Sequence, residues 1–327
     1  MQEPAQVTLP VSAQNVLILN GAVAQPEEYG IERTFNGQWL PVNYPLSLDS
    51  MVWSAIGEIA GVLNDSHFFK NIAVYAKPLR RDTEWLSVFG ISPELQSDFY
   101  NAENYDALFV IHRLLFAVKE NVKKIPEFFS SPDLMSVFVD LHTEGIITCS
   151  MYSHGNEKPL TTFTITDSLI VKSIFDGDSI AFFKEIPEDA LHELARELGS
   201  QAATRFIPTW KTVDRIIFTG YNARMQEAAS YATSRKWENA ESLWTIEFGK
   251  RTKPVDRAKI AFNLAVANEM QDKLDAAWDW VQKAKEQLEN AKEYDDSQEM
   301  KFTNKYISDL EQRIQNNRLL DLQWGKE

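Results

Sequence analysis

The sequence predicts an α+β protein. An α/β domain built on a mixed sheet, residues 1–219, precedes an all-α domain of helical repeats, residues 220–327. Strand-length apolar runs and alternating stretches dominate the first part, as in NVLILNG at 15–21 and in 135–153. Beyond Gly220 the pattern turns helical, with one Gly and one Pro between Tyr221 and Asp295. There, small residues recur where antiparallel helices must approach closely: Ala265 on one helix, Ala277 and Ala284 on the next.

Taken in order, 15–21 reads as a buried strand because its apolar run is short and continuous. Residues 23–48 carry three Pro and two Gly with little periodicity, which predicts a long loop. Ser50 is placed to cap a helix in which Trp53, Ile56, Ile59, Ala60 and Leu63 share one face. NIAVYA at 71–76 is a second buried strand, so strand, helix and strand form a right-handed crossover with parallel strands. A polar helix is expected at 93–101 and a long strand at 105–118, with a helix the alternative for LFVIHRLLFAV. Residues 135–153 and 160–173 read as an antiparallel meander, with Asp176-Gly177-Asp178 turning into a strand at 180–183. Pro187 and the acidic residues after it open a helix to Arg205, whose stripe of Leu191, Leu194, Ala195, Leu198 and Ala202 should lie on the sheet. TVDRIIF at 212–218 alternates as a last strand would.

Five helices follow, at 221–234, 237–249, 256–271, 274–292 and 297–317. Ala228, Tyr231, Ala240 and Trp244 repeat the pattern of the later pair, and Ala240 and Ala277 stand 37 positions apart. The last helix, with Phe302, Tyr306, Ile307, Leu310 and Ile314, would close the open end of the stack.

Composition narrows the partners. The formal net charge is −14 over 327 residues. Most of it falls in residues 1–219, with 16 Lys and Arg against 28 Asp and Glu, while 220–327 hold 17 against 19. An acidic surface repels phosphate backbones, so nucleic acid is not an expected partner. The longest apolar stretch, 107–118, is interrupted by His112 and Arg113 and is too short to span a bilayer. Cys149, the single cysteine, alternates with Ile147 and Met151 and reads as a small buried hydrophobe. It forms no internal disulfide, and its presence decides no compartment.

The chemistry-bearing residues do not assemble into a known motif. The histidines at 67, 112, 142, 154 and 192 are scattered, and no nucleophile elbow, phosphate loop or dinucleotide fingerprint is present. No catalytic, cofactor or metal residue is therefore assigned. Asp140, His142 and Glu144 alternate on one strand. Their side chains would stand parallel, a poor tripod for zinc and an ordinary solvated face. Asp176-Gly177-Asp178-Ser179 lacks the further ligands of a calcium loop and fits a hairpin turn. Trp237, Trp244, Trp278 and Trp280 read chiefly as packing between helices, with at least one of the last two exposed.

AKIAFNLAVANEMQDKLDAAWDWVQKAKEQLENAK at 258–292 is similar to a tetratricopeptide helix pair. Ala261, Asp272 and Glu289 depart from that pattern, where Trp, Gly and Pro are usual. Pro208-Thr-Trp210, Arg215-Ile-Ile-Phe218, MQEAASYATSRKWENAESLW and AFNLAVANEMQDKLDAAWDWVQKA, with VTLP and NVLILN at the start, form an ordered set. That set resembles an uncharacterised family of Bacteroidetes envelope lipoproteins with a tetratricopeptide-like C-terminus. In element order the first half is similar to the TolB N-terminal and curli-secretion-lipoprotein type of α/β domain. The resemblance implies a periplasmic or outer-membrane lipoprotein, of which this chain would be the soluble part of a longer precursor.

By analogy with such repeats, Lys259, Phe262, Val266, Glu269 and Met270 would line a partner-binding face. A clamp for a peptide C-terminal carboxylate is not expected, because Phe262 and Val266 stand where Lys and Asn are needed. The expected function is thus non-enzymatic protein–protein interaction. The alternatives are a metal-dependent hydrolase around Asp140 and His142, and glycan capture through exposed Trp.

Overall fold

A computed structural model describes residues 1–26, 29–40, 48–125, 135–177, 188–220, 222–292 and 297–326. The fold is mixed α+β, a sheet-rich part followed by a helical one. It divides into two compact units, one of Pro4–Thr209 with Gln323–Lys326, the other of Trp210–Leu322 with Met1–Glu3.

The α/β unit is organised by one long strand. β2 (Asn15–Asn20), β3 (Ile31–Phe35), β4 (Gln38–Leu40), β5 (Asn71–Val74), β6 (Ala107–Lys124), β7 (Met135–Ser153) and β8 (Thr161–Gly177) form a single sheet. The two-residue strands β1 (Gln2–Glu3) and β9 (Thr209–Trp210) stand outside it. β7 runs antiparallel along the whole of β6 and continues into β8. The opposite edge of β6 is shared: β2 lies parallel to Ala107–Ile111, and β3 lies parallel to Val118–Val122. β5 then adds parallel to β2, as the crossover through α1 (Leu48–Asp65) requires.

The sequence of β6 explains its two roles. Its first residues, Ala107–Ile111, are apolar without interruption and are buried on both faces. From Leu114 onward the strand alternates, with Leu114, Phe116, Val118 and Val122 buried and Ala117, Lys119, Asn121 and Lys123 exposed. On one face Val16, Ile18, Phe109 and Ile111 pack beneath α1 and α3 (Glu188–Thr204). On the other, Leu17, Leu19, Leu108 and Val110 meet Ile91 and Tyr100, the latter on α2 (Pro93–Glu103).

The predicted stripe of α3 is buried as expected, from Leu191 to Ala202. Each large side chain so buried is worth about 1.5–3 kcal/mol. Two glycines let this helix sit close. A Cβ on Gly145 of β7 would lie 2.8 Å from the Leu198 side chain, and one on Gly199 would lie 2.6 Å from the Ala55 carbonyl oxygen. Cys149 lies in the same core, where burial pushes its thiol pKa up.

Three expectations are corrected. The stretch 23–48 is not wholly a loop, since Asn36 and Gly37, both at positive φ, turn β3 into β4. Arg33 on β3 faces Glu120 on β6, and both are buried as an ion pair, which anchors a strand too polar to be read from hydropathy. α1 begins at Leu48, so Ser50 lies within its first turn and is not the cap. Residues 212–218 form no strand and join no ladder. The expected strand at 180–183, with Asp178, lies outside the described residues.

The helical unit contains α4 (Ala223–Thr233), α5 (Trp237–Lys250), α6 (Pro254–Met270), α7 (Leu274–Asn290) and α8 (Gln298–Gln323). The first four make two hairpins with the same turn. Arg235 and Asp272, 37 positions apart, both adopt left-handed φ (59° and 61°). The next residue in each donates its N–H five residues back, Lys236 to Tyr231 and Lys273 to Asn268, both at 2.9 Å. Ala228, Ala240 and Trp244 fill the first hairpin, and Ala265, Ala277 and Ala284 the second.

Candidate functional site

The face proposed from sequence on α6 is covered by the protein itself. Phe262, Val266 and Glu269 are 3%, 0% and 0% exposed, and Met270 packs partly buried on the same cluster. Lys259 remains half-exposed and pairs with Glu299 of α8 at 2.9 Å. What covers them is α8, through Tyr306 and Leu310, together with Ile217 and Phe218 of the segment that precedes α4. As an open surface for a second protein, Phe262, Val266 and Glu269 are therefore not available in this conformation.

The way the segment is held is specific. Phe218 donates its N–H to Asn263 Oδ1 at 2.7 Å, and Asn263 Nδ2 donates to the Phe218 carbonyl at 2.7 Å. One side-chain amide thus supplies both bonds that a neighbouring strand would make. The Phe218 ring lies edge-on to Phe262 at 5.2 Å, tilted against Phe302 at 6.3 Å and below the Lys259 ammonium at 5.7 Å.

Three residues earlier, Arg215 forks onto Glu269. Its Nε and Nη2 donate to the two carboxylate oxygens at 2.8 Å each. Arg313 Nη1 approaches the same carboxylate at 2.9 Å, and the Tyr306 hydroxyl donates to it at 2.9 Å. Burial alone would raise the Glu269 pKa. The hydrogen bonds and charge of Arg215, then Arg313 and Tyr306, prevail and hold it below the usual carboxylate value. Burial, followed by the Glu269 charge, pushes the Tyr306 phenol well up, so it stays a donor.

Sequence reading passed over Asn263. Its signal was a lone amide inside the apolar run Ala261-Phe-Asn-Leu-Ala-Val-Ala267, where a polar residue must find a partner.

The α/β unit holds a second candidate, a cavity of about 360 Å³ beyond the C-terminal ends of β2 and β5. In open α/β sheets ligands bind at that edge. Leu79, Arg80, Phe89, Ser92, Val110 and His112 line it. His112 is the extra residue of a bulge between Ile111 and Arg113, which turns its ring into the interior. Its Nε2 lies 2.8 Å from Ser150 Oγ, which in turn lies 2.7 Å from Thr162 Oγ1. Burial lowers its pKa to about 4, despite a hydrogen bond to the Phe89 backbone, so the ring is neutral near pH 7. Arg80 grips the Asp82 carboxylate at 2.6 and 2.9 Å and lies 4.4 Å over the Phe89 ring. Its hydrogen bond is the chief cause that lowers the Asp82 pKa. The polar groups are thus largely committed to one another, and the cavity suits a small, mostly apolar group.

The Asp140, His142 and Glu144 row is not drawn together. Their cross-strand neighbours are Lys172, Ile170 and Ser168 on β8 and Asn121, Lys119 and Ala117 on β6. Among the described residues no three His, Cys, Asp or Glu side chains are gathered as metal ligands would be. Trp244 is fully buried, whereas Trp237, Trp278 and Trp280 are partly buried, Trp280 edge-on to Phe248 at 5.1 Å. No described helix is long and apolar enough to cross a membrane.

Residues 13–218 match the family described as domain of unknown function DUF8603. The chain belongs to that family. Beyond its DUF8603 region, residues 226–312 match a second domain of unknown function, DUF6340. No curated protein matches the chain. Among solved structures, the PelC dodecamer from Paraburkholderia phytofirmans is 9% identical and covers 63% of this chain and 95% of its own, with a TM-score of 0.27. A DUF330 protein from Xanthomonas campestris is 11% identical over 62% and 90%, with a TM-score of 0.26. A putative neuraminyllactose-binding hemagglutinin homolog from Helicobacter pylori is 11% identical over 58% and 81%, with a TM-score of 0.25. At these TM-scores no functional argument rests on them.

Proposed function

We propose that this DUF8603 protein is a non-catalytic scaffold or assembly factor whose helical unit, tetratricopeptide-like in its paired hairpins, binds extended polypeptide. The observation that carries this reading is the Asn263 amide, which satisfies both the N–H and the C=O of Phe218. That contact recognises backbone in an extended conformation, independent of the side chain at that position. Main-chain pairing of this kind supplies affinity, and flanking pockets supply selectivity.

The resemblance to Bacteroidetes envelope lipoproteins supports a site of action in the periplasm or at the outer-membrane surface. The test is a pull-down from envelope extract with the full chain as bait, its own 213–218 segment disabled by Arg215→Ser and Phe218→Ser, with and without excess peptide spanning 212–219. A protein partner released by the peptide supports the reading. Capture that the peptide leaves untouched, or no reproducible partner for a folded bait, refutes it.

A further inference from the structure

We infer that residues 213–218 are a resident ligand of the α6–α8 face, and that this face takes partner peptides of the pattern arginine, two residues, aromatic. The inference rests on the helical unit being a binding module and adds the chemistry of what it binds.

The segment is held by anchored residues rather than by a ladder. Val213, Arg215, Ile217 and Phe218 are turned inward, while Asp214 and Ile216 face solvent. Its contacts fall at matched intervals. An extended chain rises about 3.3 Å per residue, so three residues can span about 10 Å. The partners of Arg215 and Phe218 on α6, Glu269 and Asn263, are six residues apart on a helix rising 1.5 Å per residue, about 9 Å. The segment therefore runs antiparallel to α6, and three residues are long enough to reach both anchor points.

Each anchor selects a different property. Asn263 reads an extended backbone. Glu269 is held in place by Arg313 and Tyr306 independently of Arg215, so a preset carboxylate awaits a guanidinium fork. Phe262, Phe302 and the Lys259 ammonium frame a slot for an aromatic ring. Ile216, 50% exposed, makes no demand on its position, whereas Ile217 packs against both helical clusters and calls for an apolar residue. A tethered segment competes at an effective concentration in the millimolar range, so the unaltered protein should admit outside peptide only weakly.

The test uses the full chain with the resident disabled by Arg215→Ser and Phe218→Ser, and a fluorescent peptide of sequence VDRIIFT read by anisotropy. The altered chain should bind it at least ~10-fold more tightly than the original. Alanine at the peptide's Arg or Phe, or Asn263→Ala in the altered chain, should each weaken binding ~10-fold or more. No gain in binding by an altered chain of unchanged helical circular dichroism overturns the inference.

Should that chain fail to fold, amide exchange on the original protein decides. The Phe218 amide should be protected, and millimolar peptide should speed its exchange while α6 amides stay protected. Exchange indifferent to peptide overturns the inference. Peptide binding without any peptide-sensitive partner in extract would instead sink only the scaffold role.

Discussion

Replacing Glu269 with Gln isolates the charge at the centre of the helical unit while keeping its size. In the original protein this fully buried carboxylate receives a fork from Arg215 and one nitrogen of Arg313, two guanidinium groups 11% and 13% exposed. Removing one side of a buried ion pair costs about 3–5 kcal/mol, and the low end applies here because Arg215 keeps Asp309 at 3.7 Å and Arg313 keeps Asp272 at 3.1 Å. Gln retains one acceptor oxygen, so a loss of about 3 kcal/mol is expected at pH 7. With a urea dependence near ~2 kcal/mol per molar, the helical transition should move down by about 1.5 M.

The loss must also depend on pH in one direction. The Glu269 carboxyl titrates below its ordinary value of 4.5 in the folded state. Its contribution is therefore complete above 4.5 and disappears as pH falls through the folded value. Urea titrations of both proteins by far-ultraviolet circular dichroism, between pH 7 and 3, check this. The gap should be widest at pH 7 and narrow on acidification. A gap below about 1 kcal/mol at pH 7, or one that does not change with pH, would falsify the account of this cluster.

The other predictions concern separate parts of the chain. His112 is neutral when folded, with its pKa lowered from 6.5 to about 4, so the α/β unit should gain stability as pH rises between those values. Linkage gives about 3 kcal/mol over that window, and His112→Gln should flatten the slope seen in denaturation midpoints. Gly199→Ala should cost about 1–3 kcal/mol in thermal melts through its clash with the Ala55 carbonyl. Ala55→Gly should not rescue it, since the clash is with backbone. Arg235→Gly should stabilise the first hairpin by about 1 kcal/mol by removing a Cβ from a left-handed position. An unchanged or lowered midpoint would rule out strain there.

Sequence reading was most informative where one pattern dominated one element. The stripe on α3, the meander of β7 and β8, and the helical hairpins were legible because their burial follows a single period. β3 and β4 were not, since Arg33 is buried by a partner 87 positions away and hydropathy records it as surface. The segment 212–218 was not legible either. Its alternation suggested a strand that does not form, and no pattern could reveal that its partner is a side-chain amide on a helix. Glu269 was assigned to a partner-binding face and is instead the buried anchor of that segment, because the sequence does not say which face of α6 is covered by α8.

The shared edge of β6 carries a consequence for how the chain acquires its structure. Val16 pairs with Ala107 and Ile31 with Val118, across separations of 91 and 87 residues. Closing a loop of that length costs about 2 kcal/mol more than closing one of ten residues. The helical hairpins need only short closures, so they should form early, in a refolding phase distinct from a slower one for the sheet. Until β2 and β3 arrive, one whole edge of β6 is open to any passing strand. The hazard of misassembly during synthesis thus falls on the α/β unit, at the strand that later holds its sheet together.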